Sequence, residues 1–201
     1  MLAVIDVIYS LRSRLKDDNY TNLYFSDAEL IDTLNNALMA LVLEFKLNKS
    51  QIVLEFLEDR TIQIDNMLGI INAYYNNTLI KCVNEPQKRL SVGVDNNSLN
   101  IAPFKPGILR LTYIKAEPIK SIEDYMNVPQ LAKNVLMYDC LARLLEVPSD
   151  ESNPNKIAMY KQLLKEAKNT LTLHLNNLTG QNISFSRVVR VWTLTALLET
   201  S

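Results

Sequence analysis

Histidine occurs once and glycine four times in the 201 residues, and both shortages narrow the chemistry available. A single histidine, His174, leaves no second imidazole to hold a metal within one chain. A Ser-His-Asp arrangement would have to use it, at the end of an amphipathic stretch among Leu171, Leu173 and Leu175. Scarce glycine weighs against Rossmann and P-loop classes, whose phosphate turns need it. No GxSxG, HExxH, EF-hand or Walker pattern occurs. The two cysteines, Cys82 and Cys140, belong to no CxxC pair and are expected to be buried thiols in a reducing compartment. Charge of one sign is also missing: 21 Lys+Arg stand against 22 Asp+Glu, a net −1, without the basic excess of a general nucleic-acid binder. No apolar run is long enough to cross a membrane. The apolar first residues are interrupted by Asp6, precede the basic residues and carry no small-residue cleavage site, so a soluble protein made inside the cell is expected.

What is present is a globular composition, with 48% hydrophobic and 21% charged residues. Residues 2–16 place Val4, Ile8, Leu11 and Leu15 at helical spacing, which predicts a first helix. Arg12, Arg14 and Lys16 fall near its C-terminal end, where cations suit the helix dipole. Ser26-Asp-Ala-Glu29 is a capping box, and Leu30, Leu34, Ala37, Leu41 and Phe45 form the stripe of a second helix.

From about residue 50 the period becomes alternating. Gln51–Leu57 and Arg60–Ile64 read as strands joined at Glu58-Asp59. Ile70–Tyr75 and Thr78–Val83 read as a hairpin closed by Asn76-Asn77, and Arg89–Val94 and Ser98–Ile101 flank a turn at Asp95-Asn96-Asn97. Ile108–Lys115 alternates after Pro106-Gly107. Residues 128–146 return to a helix apolar nearly all round, which predicts burial on several sides. Asn153-Pro154 opens a last long helix with the stripe Ile157, Tyr160, Leu164, Ala167 and Leu171.

The expected fold is α+β and mainly α. It is a four-helix bundle with a β-rich insertion between helices two and three, plus an extended C-terminal arm. The expected units are 1–50 (helices one and two), 51–118 (insertion), 119–178 (helices three and four) and 179–201 (arm).

Carboxylate pairs at Asp17-Asp18, Glu58-Asp59, Glu123-Asp124 and Asp150-Glu151 fall in expected turns, where acids are solvated or act as caps. Tyr20, Tyr24 and Phe25 fit a staple on helix two, and of Tyr74-Tyr75 at most one can enter a β core. No catalytic, cofactor-binding or metal-binding residue is assigned, and the chain is read as non-enzymatic.

The candidate functional residues lie in the arm: Ile183, Phe185, Arg187, Val189, Arg190, Val191, Trp192, Leu194, Leu197 and Leu198. A terminal segment this apolar is a liability in free solution unless it docks on something. Trp192 with Val189, Val191 and Leu194 forms the expected apolar anchor, with Arg187 and Arg190 as charged contacts. Strand addition and a short docking helix both remain open for it, as does packing on its own domain.

The run Ser-Asp-Ala-Glu-Leu-Ile-Asp-Thr-Leu-Asn-Asn-Ala at 26–37 follows a short N-terminal helix. A β block ending in Leu-Arg-Leu-Thr-Tyr at 109–113 and two closing helices come after it. This order resembles the head-to-tail adaptor (connector) proteins of tailed bacteriophages. The resemblance implies a structural virion protein of the neck, made in the host bacterial cytoplasm. Its copies would form a ring, usually of about twelve, beneath the portal protein. Double-stranded DNA would pass through the ring without sequence-specific binding, and a downstream neck or tail protein would join below. The arm would reach the portal. Two other classes compete. One is a small DNA-binding regulator or packaging factor using helices one and two as a helix-turn-helix. The other is an enzyme with a carboxylate site.

Overall fold

The computed structural model describes residues 1–17, 23–59, 61–84, 88–95, 97–146 and 154–179. A two-residue strand β1, Leu2–Ala3, leads directly into α1, Val4–Leu15. No side chain caps α1. Instead the Val4 amide donates to the Asp124 carbonyl at 3.0 Å, so a loop more than a hundred residues away satisfies one of the free amides of the first turn. The helix closes at Lys16, whose φ of 56° is left-handed.

The second helix, α2, spans Asp27–Glu44 and opens on the expected capping box. The Ser26 hydroxyl accepts from the Glu29 amide at 3.2 Å, and the Glu29 carboxylate accepts from the Ser26 amide at 2.8 Å. The Ser26 hydroxyl also donates to the Glu29 carboxylate at 2.7 Å, and this bond first, the Ser26 amide second, hold the Glu29 carboxyl below its ordinary value.

Seven strands then build a curled mixed sheet: β2 Lys49–Phe56, β3 Ile62–Gln63, β4 Met67–Tyr75, β5 Thr78–Val83, β6 Ser91–Asp95, β7 Ser98–Ala102 and β8 Gly107–Lys115. Their spatial order is β2-β8-β4-β5-β6-β7-β3, a half-barrel. All neighbours are antiparallel except β5 and β6, which run parallel. Asn76 and Asn77 close the β4–β5 hairpin at φ 46° and 66°, the positive values such a turn demands. A short β9, Tyr125–Met126, pairs with β1. Then come α3, Ala132–Glu146, and the 26-residue α4, Pro154–Thr179.

The expected four-helix bundle with a β insertion is not the architecture. The helices form a layer with α3 at its centre: α1, α2 and α4 each pack on α3. The expectation of a helix buried on several sides held for α3, with Val135, Leu136, Met137, Cys140, Leu141 and Ala142 all buried. What misled was the assumption that helices with apolar stripes satisfy one another symmetrically. Here one helix serves the other three.

The sheet is likewise no appended insertion. It has its own core of Phe56, Ile64, Met67, Ala73, Tyr75, Val92, Leu99, Ile101, Leu109 and Leu111. It meets the helical layer where β4 and β8 touch α2, and Ile114 belongs to the helical core. The two strands expected on either side of Glu58-Asp59 both form, and they lie at opposite edges of the sheet. The expectation of two buried thiols fails for one of them. Cys140 is buried, with its thiol pushed well up by desolvation, but Cys82 is exposed on β5.

Candidate interaction surfaces

The arm residues named above, Ile183 to Leu198, all lie outside the described residues. So do Tyr20, Asp18, Asn96, Asn153 and the Asp150-Glu151 pair. What the structure offers is the surface of the remainder.

Among the described residues no group of three His, Cys, Asp or Glu side chains stands close enough to hold a metal. Glu58 and Asp59 are exposed at the end of β2. Asp124 acts within its own loop: its Oδ2 accepts from the Lys120 and Ser121 amides at 2.8 and 2.9 Å. Those two bonds, Lys120 first, hold its carboxyl below the ordinary value. His174 is half-buried on α4. No described helix is long and apolar enough to cross a membrane.

At the basic end of α1 one cation, Arg12, is engaged internally. Arg12 is buried, and its guanidinium donates to Asp17 Oδ2 at 2.7 Å, Asp27 Oδ1 at 2.6 Å and the Phe25 carbonyl at 3.1 Å. Arg14 lies over the Tyr138 ring, 5.5 Å from its centre. Arg12 therefore holds the α1–α2 connection and is withdrawn from any DNA-facing role, whereas Arg14 marks the α1–α3 contact and stays exposed.

Three surfaces stand out. The first is a cleft of about 730 Å³ where the helical layer meets the sheet, with Asn48, Asn66, Lys115, Glu117 and Tyr125 among its walls. Two of its ionic groups are matched to each other: Lys115 Nζ stands 2.8 Å from Glu117 Oε1, and this bond raises the lysine and lowers the glutamate.

The second is the outer face of the sheet. Register places Val53 opposite Arg110, Arg110 opposite Tyr74 and Tyr74 opposite Leu79, one row across four strands. All four are exposed, as is Ile108 on the same face of β8. Most of the row was hidden in the sequence because β2, β8 and β4 are not consecutive. The hint was there, however: Val53, Ile108 and Leu79 are apolar residues in the wet phase of their alternation.

The third is α4. At about 1.5 Å per residue it is about 39 Å long, against about 22 Å for α3. It packs chiefly on α3 through Tyr160, Leu164, Ala167 and Leu171, and leaves Met159, Leu173 and Leu178 exposed. Ion pairs fix it at two points, Lys161 to Glu146 and Lys168 to Glu44, both at 2.6 Å.

Compared with known proteins, the chain matches no family model and no curated protein.

Proposed function

We propose that this chain is a head-to-tail adaptor of a tailed bacteriophage, a structural protein without catalytic chemistry. Copies stand side by side in a ring beneath the portal and pass double-stranded DNA through the centre without reading its sequence. The arm grips the portal, and the opposite end receives the next neck or tail protein.

The observation that carries this reading is α4, at 26 residues the longest of the described helices. Its buried stripe is satisfied by α3, yet Met159, Leu173 and Leu178 remain exposed along its length. Side-by-side assembly needs such flanks rather than a cleft. The capped start of α2 at Ser26–Glu29, formed by the run that resembles adaptors, adds support. So does the near-neutral charge of −1, since phosphate neutralisation would make passing DNA stick in a salt-dependent way.

The test is a pull-down on the cognate portal ring, followed by electron microscopy of the bound complex. The full chain is expected to bind as a ring. A chain truncated after Gly180 should lose the portal, and Trp192→Ala should weaken it at least about ten-fold. Equal binding by full and truncated chains would remove the role of the arm. No portal binding by the full chain would overturn the adaptor reading.

A further inference from the structure

The sheet ends on one side at β2, an eight-residue strand whose only partner among the described residues is β8. The β2–β8 register runs from Lys49↔Ile114 to Phe56↔Gly107 without a slip. There is no proline and no bulge, two of the devices that usually blunt an edge. The β4–β8 ladder, by contrast, slips twice. On the core side of β2, Ile52 and Leu54 pack against the sheet core yet stay only half-buried. On the other face Lys49, Gln51, Val53 and Glu55 are exposed.

We infer that β2 pairs with β2 of a second copy, antiparallel across a two-fold axis. The sequence of the strand selects both the partner and the register. When two copies continue one sheet about a perpendicular axis, opposed residues share a face, so every allowed register centres on a residue. Centred on Ile52, the exposed face reads Lys49 against Glu55, Gln51 against Val53, and the same two pairs again by symmetry. Both charges of the strand then meet the opposite sign. Centred on Val53, Lys49 would face Leu57 and Glu55 would face Gln51. Centred on Gln51, Lys49 would face Val53. Only the Ile52 register is self-complementary in charge. On the core face it sets Ile52 against Ile52 and Leu54 against Ser50, which covers the two half-buried aliphatics. Glu55 also has an interaction within its own chain, and a carboxylate can accept from more than one donor.

The pairing does not rest on the adaptor reading. A two-fold contact uses the same patch twice, whereas a polar ring uses two different ones. If the chain also joins a ring, the pair is a separate state that uses a different contact. Edge pairing alone is smaller than a standard interface, so the pair is weak.

The test is sedimentation equilibrium on the full chain from about 5 to 500 µM. The wild type is expected to dimerise within that range. Lys49→Glu and Glu55→Lys, each present twice in the pair, should each weaken it by about ten-fold or more, and the double exchange should restore it. A second measurement covers any variant that folds poorly. In a Cys82→Ser background, Ile52→Cys should give disulfide-linked dimers on mild oxidation, and Glu58→Cys, beyond the ladder, should not. A wild type that stays monomeric, single exchanges without effect, a double exchange that fails to restore the pair, or equal cross-linking at both positions would each overturn the proposal. A pair that ignores the charge exchanges but vanishes on truncation after Gly180 would also overturn it, and would give β2 to the arm.

Discussion

Arg12 Nη1 lies 2.7 Å from Asp17 Oδ2, and both side chains are almost wholly withdrawn from water. Asp17 also accepts from the Tyr24 amide at 2.6 Å and the Phe25 amide at 3.2 Å, so one ion pair holds both ends of the α1–α2 connection. Arg12→Met leaves that carboxylate buried without its cation and is expected to cost roughly 3–5 kcal/mol. Adding Asp17→Asn should recover part of the loss, because the stranded charge is gone. Urea unfolding of the two variants decides it, and a double variant no better than the single would count against the ion-pair account.

Ser26→Ala removes the hydroxyl that accepts from the Glu29 amide. The expected cost is about 1 kcal/mol, with Ser26→Asp close to wild type, since either oxygen can cap the helix. Thermal melts of the three proteins test the ranking.

Asp124 links the loop before β9 to the start of α1. Its carboxyl is held below an ordinary value near 3.8, chiefly by the Lys120 amide and then by the Ser121 amide. A depressed carboxylate contributes stability above its unfolded pKa and loses it as pH falls through the folded one. Asp124→Ala should therefore melt lower than wild type at neutral pH, and the gap should close as the pH drops below about 3.8. A gap unchanged down to pH of about 2 would refute the titration.

Leu171 is fully buried although it lies on the outermost helix. Leu171→Ala is expected to cost about 2–5 kcal/mol and to loosen α4 from α3. Hydrogen exchange should then show α4 amides opening before those of α3. Leu173→Ala, on the exposed side, should change stability little and instead weaken assembly.

At the β4–β5 turn, the Asn76 amide donates to the Ile108 carbonyl at 2.9 Å, and Asn76 Oδ1 accepts from the Ile108 amide at 2.8 Å. A Cβ on Gly107 would come within 2.5–2.8 Å of three atoms of that side chain. Gly107→Ala should therefore break the clasp and cost about 1–3 kcal/mol. Asn76→Gly, which keeps the turn but loses the side-chain bond, should cost less. Unfolding curves of both variants check the order.

Features written in adjacent residues were legible in the sequence. The capping box at Ser26 and the Asn76-Asn77 turn need only a few neighbouring side chains to declare themselves, and both formed. Strand order was not legible. Alternation says that β2 has a wet and a dry face but not that β8 and then β4 lie beside it, because those neighbours are chosen by burial across the whole sheet. β1 and β9, two residues each, are too short to show any period. Apolar stripes similarly marked which side of each helix is buried and left open which helix covers it. For function, the row from Val53 to Leu79 existed as a surface only once four strands were set side by side.

The placement of α3 has a consequence in time. α1 and α2 leave the ribosome before α3, the element that both pack against, which ends at Glu146, about a hundred residues after α2. Asn35 waits in the same way, since its side chain bonds both backbone groups of Ile119, 84 positions on. At synthesis rates of roughly 5–20 residues per second, that is on the order of 5–20 s with Leu34, Leu38 and Leu41 uncovered. Such long-range closure slows folding. The emerging chain is thus expected to depend on a holding chaperone until α3 arrives.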